Sequence, residues 1–341
     1  MGAKGSSYSS NKITLKDIAV KTGFTINTVS RALKDKEDIS ETTREFIKET
    51  ANDMGYIPNA IAGSLRSGVT KTIAVILGDI SNPHFSILVK EIETSARRQN
   101  YNTFIINTDE KSEIEEEAIH SALGKNVDGI IICPTQKSEN NIRYLKKTGV
   151  PFVLIGRYFK NINTDYVVCD DVNGGYFATR HLIERGHRRI LFLNGPDYIS
   201  SSIERHEGYK KALSENNIEY DSGLVHEISI TSGESNKIIS RIIKSDIKFT
   251  AIFAFSDMIA WETIHVLNRN GLRVPEDVAI VGFDNIQSKL QFPVLLTSIS
   301  TSKSKMSKRA VEVLLKRINN IDTSEYIKTV IDTQIVIRGS T

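Results

Sequence analysis

Between positions 25 and 31 the chain carries, within two turns of a possible helix, one of each kind of group that reads a DNA duplex. Asn27 offers the paired donor and acceptor that match adenine, Arg31 can fork onto guanine, and Ile26 can meet a thymine methyl. Thr28 and Ser30, with Thr14 upstream, suit phosphate contacts, which position a protein without specifying sequence. Thr25 stands at the head of the set. To act together these side chains must project from the N-terminal end of a short helix laid in the major groove.

The neighbouring residues predict that helix and two that brace it. Thr14, with Asp17 three residues on, reads as a capping-box start. Leu15, Ile18, Ala19 and Thr22 then fall on one helical face. Gly23 ends the helix, because glycine takes the positive φ of a tight turn without steric cost. Thr25 caps the second helix, whose Val29 and Leu33 face inward. Ser40 caps a third, from Glu41 to about Met54, expected to bury Phe46, Ile47, Ala51 and Met54, with Gly55 closing it. Two short helices joined by a glycine turn and braced by a third make the helix-turn-helix plan. Spacing alone leaves the alternative open: a small three-helix domain that binds protein or nothing.

Composition narrows the classes. The chain has 341 residues, 40% apolar and 25% charged, which is ordinary for a globular protein of two or three domains. No apolar run approaches the ~20 residues that cross a bilayer, and the start lacks a secretory signal, so a cytoplasmic protein with no membrane partner is expected. Cys133 and Cys169 each end an apolar, strand-like run. Two cysteines so placed make no disulfide framework, and a reduced compartment fits. The Gly- and Ser-rich first ten residues are set aside from the fold. The formal net charge is only +3, and most of that excess lies early: residues 1–68 hold ten Lys and Arg against eight Asp and Glu. A basic head on a near-neutral body hints weakly at nucleic acid.

After the third helix comes Tyr56-Ile57-Pro58-Asn59, then Ala60-Ile61-Ala62-Gly63-Ser64-Leu65-Arg66. This run closely resembles the lactose-repressor (LacI/GalR) family. So do Ile13-Thr14-Leu15-Lys16-Asp17-Ile18-Ala19 and Thr28-Val29-Ser30-Arg31-Ala32-Leu33 before it. The match is dense over about 60 residues. The resemblance implies a hinge helix from Asn59 that forms on the operator, with Asn59 near the DNA and Leu65 wedged into the minor groove. An apolar wedge costs unstacking and gains a bent duplex with more contacts. Gly63 weakens such a helix when free, by roughly 1 kcal/mol relative to Ala. That suits a segment that folds only on DNA. Read without the resemblance, 59–66 is only a linker.

From Lys71 onward, apolar runs alternate with helical segments. The runs are Ile73–Leu77, Thr103–Asn107, Gly129–Cys133, Phe152–Ile155, Ile190–Asn194, Ala251–Phe255 and Val278–Gly282. Helices are expected near Phe85–Arg98, Glu113–Leu123, Asn141–Lys147, Gly174–Arg185, Ser202–Asn216, Asn236–Lys244, Asp257–Asn270 and Ser304–Ile318. This alternation predicts parallel sheets with helices on both faces. Some 270 residues is long for one sheet, so two lobes follow. The expected fold class is an all-α helix-turn-helix head plus an α/β two-lobed, periplasmic-binding-protein-like body. Further motifs carry the resemblance into the body: Asp79-Ile80-Ser81-Asn82-Pro83-His84-Phe85, Arg205-His206-Glu207-Gly208-Tyr209, Gly271-Leu272-Arg273-Val274-Pro275-Glu276-Asp277-Val278 and Gly282-Phe283-Asp284-Asn285. It implies three strand crossovers, near Cys169, Ser300 and Lys328. The domains are then a head at 12–58, a hinge and linker at 59–70, and a body at 71–341. Within the body the N-lobe takes about 71–169 and 301–328, and the C-lobe about 170–300 and 329–341.

The cleft between lobes is the expected effector site, at the carboxyl ends of the strands. The resemblance places Phe85, Arg205 and Asp284 there, with Arg157 and Ser256 as further candidates. A guanidinium and a carboxylate make directional bonds to hydroxyls, and a ring covers the apolar face of a sugar. By residue type alone Arg205 is as well a surface helix residue, Asp284 a turn residue and Phe85 core. Three departures alter the pocket. Ser256-Asp257 replaces the relatives' Asn-Asp, Ile155-Gly156-Arg157 replaces their Ile-Asp-Arg, and Asp170-Asp171 replaces their Asp-Asn. Glu115-Glu116-Glu117 reads as a solvated helix face. His187 is expected to favour positive charge beside a helix C-terminus. Trp261 is assigned equally to a dimer interface or to the core.

The function expected is a sequence-specific DNA-binding transcription regulator, a repressor, whose affinity for a palindromic operator is set by a sugar or sugar derivative. A homodimer is expected because no C-terminal leucine heptad follows Ile335-Val336-Ile337. A global catabolite regulator using a protein corepressor is a variant of this reading. A free sugar-binding receptor is a separate alternative, against which the missing export signal counts. An enzyme is not expected: there is no Gly-rich phosphate loop, no metal-spaced His or Cys cluster and no Gly-x-Ser-x-Gly elbow, hence no catalytic residue, cofactor or metal.

Overall fold

The computed structural model describes residues 12–58, 68–230, 236–245, 247–288, 295–321 and 324–341. The chain divides into two units, a head up to Thr70 and a body from Lys71.

The head holds α1 (Leu15–Thr22), α2 (Ile26–Ala32) and α3 (Glu41–Asp53). All three caps read from sequence are formed. The Thr14 hydroxyl accepts from Asp17 N, while the Asp17 carboxylate accepts from Thr14 N at 2.8 Å. Thr25 accepts from Thr28 N at 3.1 Å, and Ser40 from Thr43 N. Gly23, at φ 78°, turns the chain between α1 and α2. Ile18, Ala19, Val29, Ala32, Ile47 and Ala51 form the core, with Leu15, Leu33 and Met54 half-buried around it. Phe46 corrects the sequence reading: it is 49% exposed. On α3 the inward stripe runs through Ile47 and Ala51, one helical turn apart, and Phe46 lies about 100° off it.

The body contains two six-stranded sheets. The N-lobe sheet has the order β11-β5-β4-β3-β1-β2. Its strands are β1 (Thr72–Leu77), β2 (Asn102–Asn107), β3 (Gly129–Ile132), β4 (Phe152–Ile155), β5 (Tyr166–Cys169) and β11 (Lys328–Ile331), all parallel. The C-lobe sheet has the order β12-β10-β9-β8-β6-β7, from β6 (Ile190–Asn194), β7 (Val225–Glu227), β8 (Ala251–Ala254), β9 (Ala279–Asp284), β10 (Thr297–Ser300) and β12 (Gln334–Val336). Among the described residues only β12 runs antiparallel to its neighbour. Runs such as Ile73–Leu77 and Ile130–Ile132 are buried without alternation, as strands covered on both faces must be. The covering helices are α4 (Pro83–Arg97), α5 (Ser112–Gly124), α6 (Asn140–Thr148), α7 (Asp171–Glu184), α8 (Ser200–Glu215), α9 (Asn236–Ile243), α10 (Asp257–Arg269) and α11 (Lys303–Ile318).

The chain passes between lobes three times. The first passage follows Cys169 and the second follows Ser300. The third was expected near Lys328, and here the structure differs. Lys328–Ile331 pair with Tyr166–Cys169 in the N-lobe sheet, so the passage lies between Ile331 and Gln334, and the N-lobe segment extends to 331. The first and third passages are tied together: Asp170 N donates to Ile331 O at 2.9 Å, and the Thr333 hydroxyl donates to Asp170 O at 3.1 Å. Among the described residues no helix is long and apolar enough to cross a membrane.

Candidate effector cleft and DNA-reading surface

On the head, α2 presents Thr25, Ile26 and Asn27 to solvent, with Thr28, Ser30 and Arg31 half-buried behind them. Thr25 and Thr28 are also joined through their hydroxyls at 2.9 Å. Arg31 holds Asp38 through two bonds, Nε at 2.8 Å and Nη2 at 2.7 Å, with both side chains about half exposed. An exposed pair of this kind contributes little to stability and exchanges readily for another acceptor. Asn59 and Leu65 lie outside the described residues.

Within the body, the carboxyl ends of both sheets face one cavity of about 70 Å³. It brings together all five effector candidates: Phe85, Arg157, Arg205, Ser256 and Asp284. All but Arg205 are placed by an element end. Phe85 sits in the first turn of α4, which opens with Asn82 as cap and Pro83 at the first turn. Arg157 follows β4, and Asp284 is the last residue of β9. Arg205 comes from α8. Ser256 caps α10 by accepting from Ile259 N at 3.3 Å, so its hydroxyl is already engaged with its own helix.

The charged groups are buried and paired. Arg205 Nε donates to Asp171 at 2.7 Å, its Nη1 donates to Phe255 O, and its guanidinium stacks between the Phe283 and Phe255 rings at 3.6 and 4.3 Å. Burial opposes the charge of Arg205, yet Asp171 and Asp284 outweigh it and hold its proton more tightly than usual. Arg157 forks onto Glu110 at 2.7 and 2.9 Å and donates to Pro134 O at 3.0 Å. Asp284 has φ 104° and meets His84 Nδ1 at 3.0 Å. Burial alone would raise its carboxyl. His84, Lys303 and Arg205 reverse that and leave it below the ordinary aspartate value. Behind it, Lys303 donates to Asp284 O, and Asp257 accepts from Ile286 N at 2.8 Å and from the Ser298 hydroxyl at 2.5 Å. Burial, with Asp284 nearby, pushes Asp257 up to about 8.

Sequence reasoning missed several lining residues, among them Asn82, His84, Glu110, Ser201 and both cysteines. Burial pushes the Cys133 thiol up to about 12, so it is a packing group rather than a nucleophile. Three other readings change. Glu115 is fully buried, unlike Glu116 and Glu117, and its carboxylate accepts from Thr135 N at 2.6 Å and Asn141 Nδ2 at 3.0 Å. Burial lowers the His187 imidazole, which favours its neutral form, and its Nδ1 meets the Thr250 hydroxyl at 2.9 Å. Trp261 packs half-buried on the C-lobe core.

A two-lobed α/β body closing on a polar cavity, carried on the same chain as a helix-turn-helix, defines the class of ligand-responsive DNA-binding regulators. Two family models match the two units. Residues 14–59 match the bacterial regulatory proteins of the lacI family. Residues 70–337 match the periplasmic binding proteins and sugar-binding domain of the LacI family. The chain belongs to the LacI family of transcription regulators. It is 31% identical over 308 residues to the HTH-type transcriptional repressor PurR of Aliivibrio salmonicida, covering 90% of this chain and 92% of that one. The transcriptional regulator CelR in complex with cellobiose superposes with a TM-score of 0.74 at 28% identity, covering 97% of this chain and all of that one. The lac repressor dimer bound to operator and the anti-inducer ONPF has a TM-score of 0.86 at 23% identity, covering 97% and 99%, a likeness of fold.

Proposed function

We propose that this regulator is a cytoplasmic, non-catalytic repressor that binds a palindromic operator as a homodimer and is switched by a neutral, hydroxyl-rich ligand of the sugar class. The observation that carries the ligand class is the pairing inside the cavity. Each buried guanidinium already faces a carboxylate, Arg157 with Glu110 and Arg205 with Asp171. A phosphate or carboxylate on the ligand would compete with an internal carboxylate for these cations. A hydroxyl can donate to the carboxylate and accept from the guanidinium at once. The Phe85 ring supplies an apolar wall. The structural likeness to the cellobiose-bound regulator supports the same class.

The cavity of about 70 Å³ is far below the roughly 300 Å³ at which small-molecule pockets begin, so entry requires the lobes or their side chains to move. A ligand that binds the closed and open arrangements unequally shifts their populations, and operator affinity follows. In a homodimer, two copies of α2 would read half-sites about 34 Å apart. The lac repressor neighbour is a dimer on its operator, in keeping with this assembly.

The test is fluorescence anisotropy with palindromic and random duplexes at physiological salt, combined with a thermal-shift screen over neutral sugars and sugar phosphates. The expected result is tighter binding to one palindrome, and a neutral sugar that both changes that affinity and raises the melting temperature. A saturating ligand at 100 times its Kd adds about 2.7 kcal/mol. Equal affinity for all duplexes, or a shift by sugar phosphates alone, overturns the reading.

A further inference from the structure

Beside the cavity the two lobes meet along a seam of hydrogen bonds centred on Gln136, whose bonds to Ser200 are buried. This residue lies in the N-lobe, on the loop that follows β3. Its Nε2 donates to Tyr158 O at 2.7 Å, within the same lobe. Its Oε1 accepts from Ser200 N at 3.0 Å and from the Ser200 hydroxyl at 3.2 Å, across the seam in the C-lobe. Ser200 is the first residue of α8.

That position gives the bond its meaning. A helix begins with amide donors that have no partner inside the helix. α7 and α10 satisfy one of theirs with their own Asp170 and Ser256. α8 begins after Ile199, and no side chain of its N-cap residue fills that role. The acceptor at its start is supplied by the other lobe. The backbone of Gln136 carries a second, independent signal. It sits at φ 66°, in the left-handed region, where glutamine is uncommon. A third is the way the loop is held from behind. Thr135 N donates to the buried Glu115 carboxylate, and Pro134 O receives Arg157 Nη1. One loop thus accepts from an arginine of the cavity and reaches into the opposite lobe. Tyr158 completes the seam: its N donates to the Ser200 hydroxyl at 3.3 Å, and its OH donates to Glu204 at 2.5 Å.

We propose that Gln136 is the closure latch of the body, a positioning residue that caps α8 only when the lobes are shut and so couples the seating of Arg205, on that helix, to lobe closure. This rests on the reading of the cleft as the effector site. Opening the lobes removes the acceptor from the start of α8, frees the first turn and loosens the backbone that carries Arg205. A ligand that holds the lobes together restores the cap without touching Gln136.

Hydrogen–deuterium exchange on the full-length chain without ligand tests the latch, comparing wild type with Gln136→Gly and Gln136→Met. Glycine relieves the left-handed backbone, and methionine keeps the volume without the amide. Both variants are expected to speed exchange of the Ser200–Arg205 segment by about tenfold or more, the value of one hydrogen bond, while β1 and β6 keep their protection. Gln136→Gly is expected to melt no lower than Gln136→Met. Faster exchange confined to 134–137, with α8 unchanged, would make Gln136 a local loop residue and overturn the proposal. A rise spread over the whole body would overturn it equally. The experiment needs no effector. A wild-type protein that binds no sugar therefore defeats the functional reading without altering this result.

Discussion

The head and the cleft both present arginine and hydrogen-bonding side chains, yet they hold them in opposite ways. On α2 the candidate reading groups are wet. Asn27 is exposed, and the Arg31–Asp38 pair sits with side chains 43% and 53% accessible. In the cleft, Arg205 and Asp171 are 7% and 2% accessible and clamped by two rings. A surface that reads a large charged polymer keeps its polar groups solvated, because they must let go of one partner and take another cheaply. A site that reads a small molecule has already met the cost of desolvating its charges during folding, and so offers them rigid and dry.

Three measurements would break or sharpen that contrast. The largest effect is expected from Arg205→Met, which leaves Asp171 buried without its partner. Unfolding of the body in urea should show a loss of about 3–5 kcal/mol. A loss below about 1 kcal/mol would mean the cleft charges are as loosely held as those of the head. A second effect, visible as a pH dependence rather than as a loss at one pH, is expected from Asp257→Asn. Asp257 ionises near 8 in the folded protein and at 3.8 as a free side chain. Between those values the unfolded chain binds fewer protons than the folded one, so stability falls as pH rises from about 4 to 8. Asparagine should flatten the slope across that window and gain on wild type toward pH 8. An unchanged slope would show that Asp257 stays ionised throughout. The smallest effect on stability is expected from Arg31→Ala, whose melting temperature should match wild type. Its operator affinity should nevertheless fall by about tenfold or more, chiefly at the base that the arginine reads. A marked drop in melting temperature would make Arg31 structural and blur the distinction between the regions.

Much of the fold was legible because its signals are local. Thr14, Thr25 and Ser40 mark helix starts by residue type, and β-branched runs such as Ile73–Leu77 mark strands buried on both faces. The short strands were less visible. β10 contains Ser298 and Ser300, and β11 is a four-residue segment whose lobe is decided by its partner β5 rather than by its own residues. The cleft divided in the same way. Arg157, Arg205 and Asp284 stood in recognisable motifs. Glu110 did not, because what makes it part of the site is Arg157, 47 positions away, and a left-handed backbone at φ 56°. Glu115 was misread for a related reason: a run of three glutamates resembles a wet face until one of them finds Thr135 N and Asn141. Phe46 shows the reverse error, an apolar residue assigned to the core although its helix turns it outward.

The third chain passage has a consequence for how the molecule comes into being. The N-lobe is made of two stretches separated by all of the C-lobe but its last strand, since α11 and β11 return to it only at 303–331. During synthesis the first stretch emerges with the outer edge of β5 unpaired and the part of one sheet face over β3, β4 and β5 lacking its helix. It must wait for about 130 further residues before the missing helix arrives and about 160 before the missing strand does. The C-lobe, nearly continuous, can gather itself in the meantime. The lobe that is first in sequence is therefore the last to be finished, and its waiting edge is where misassembly during biogenesis is most exposed.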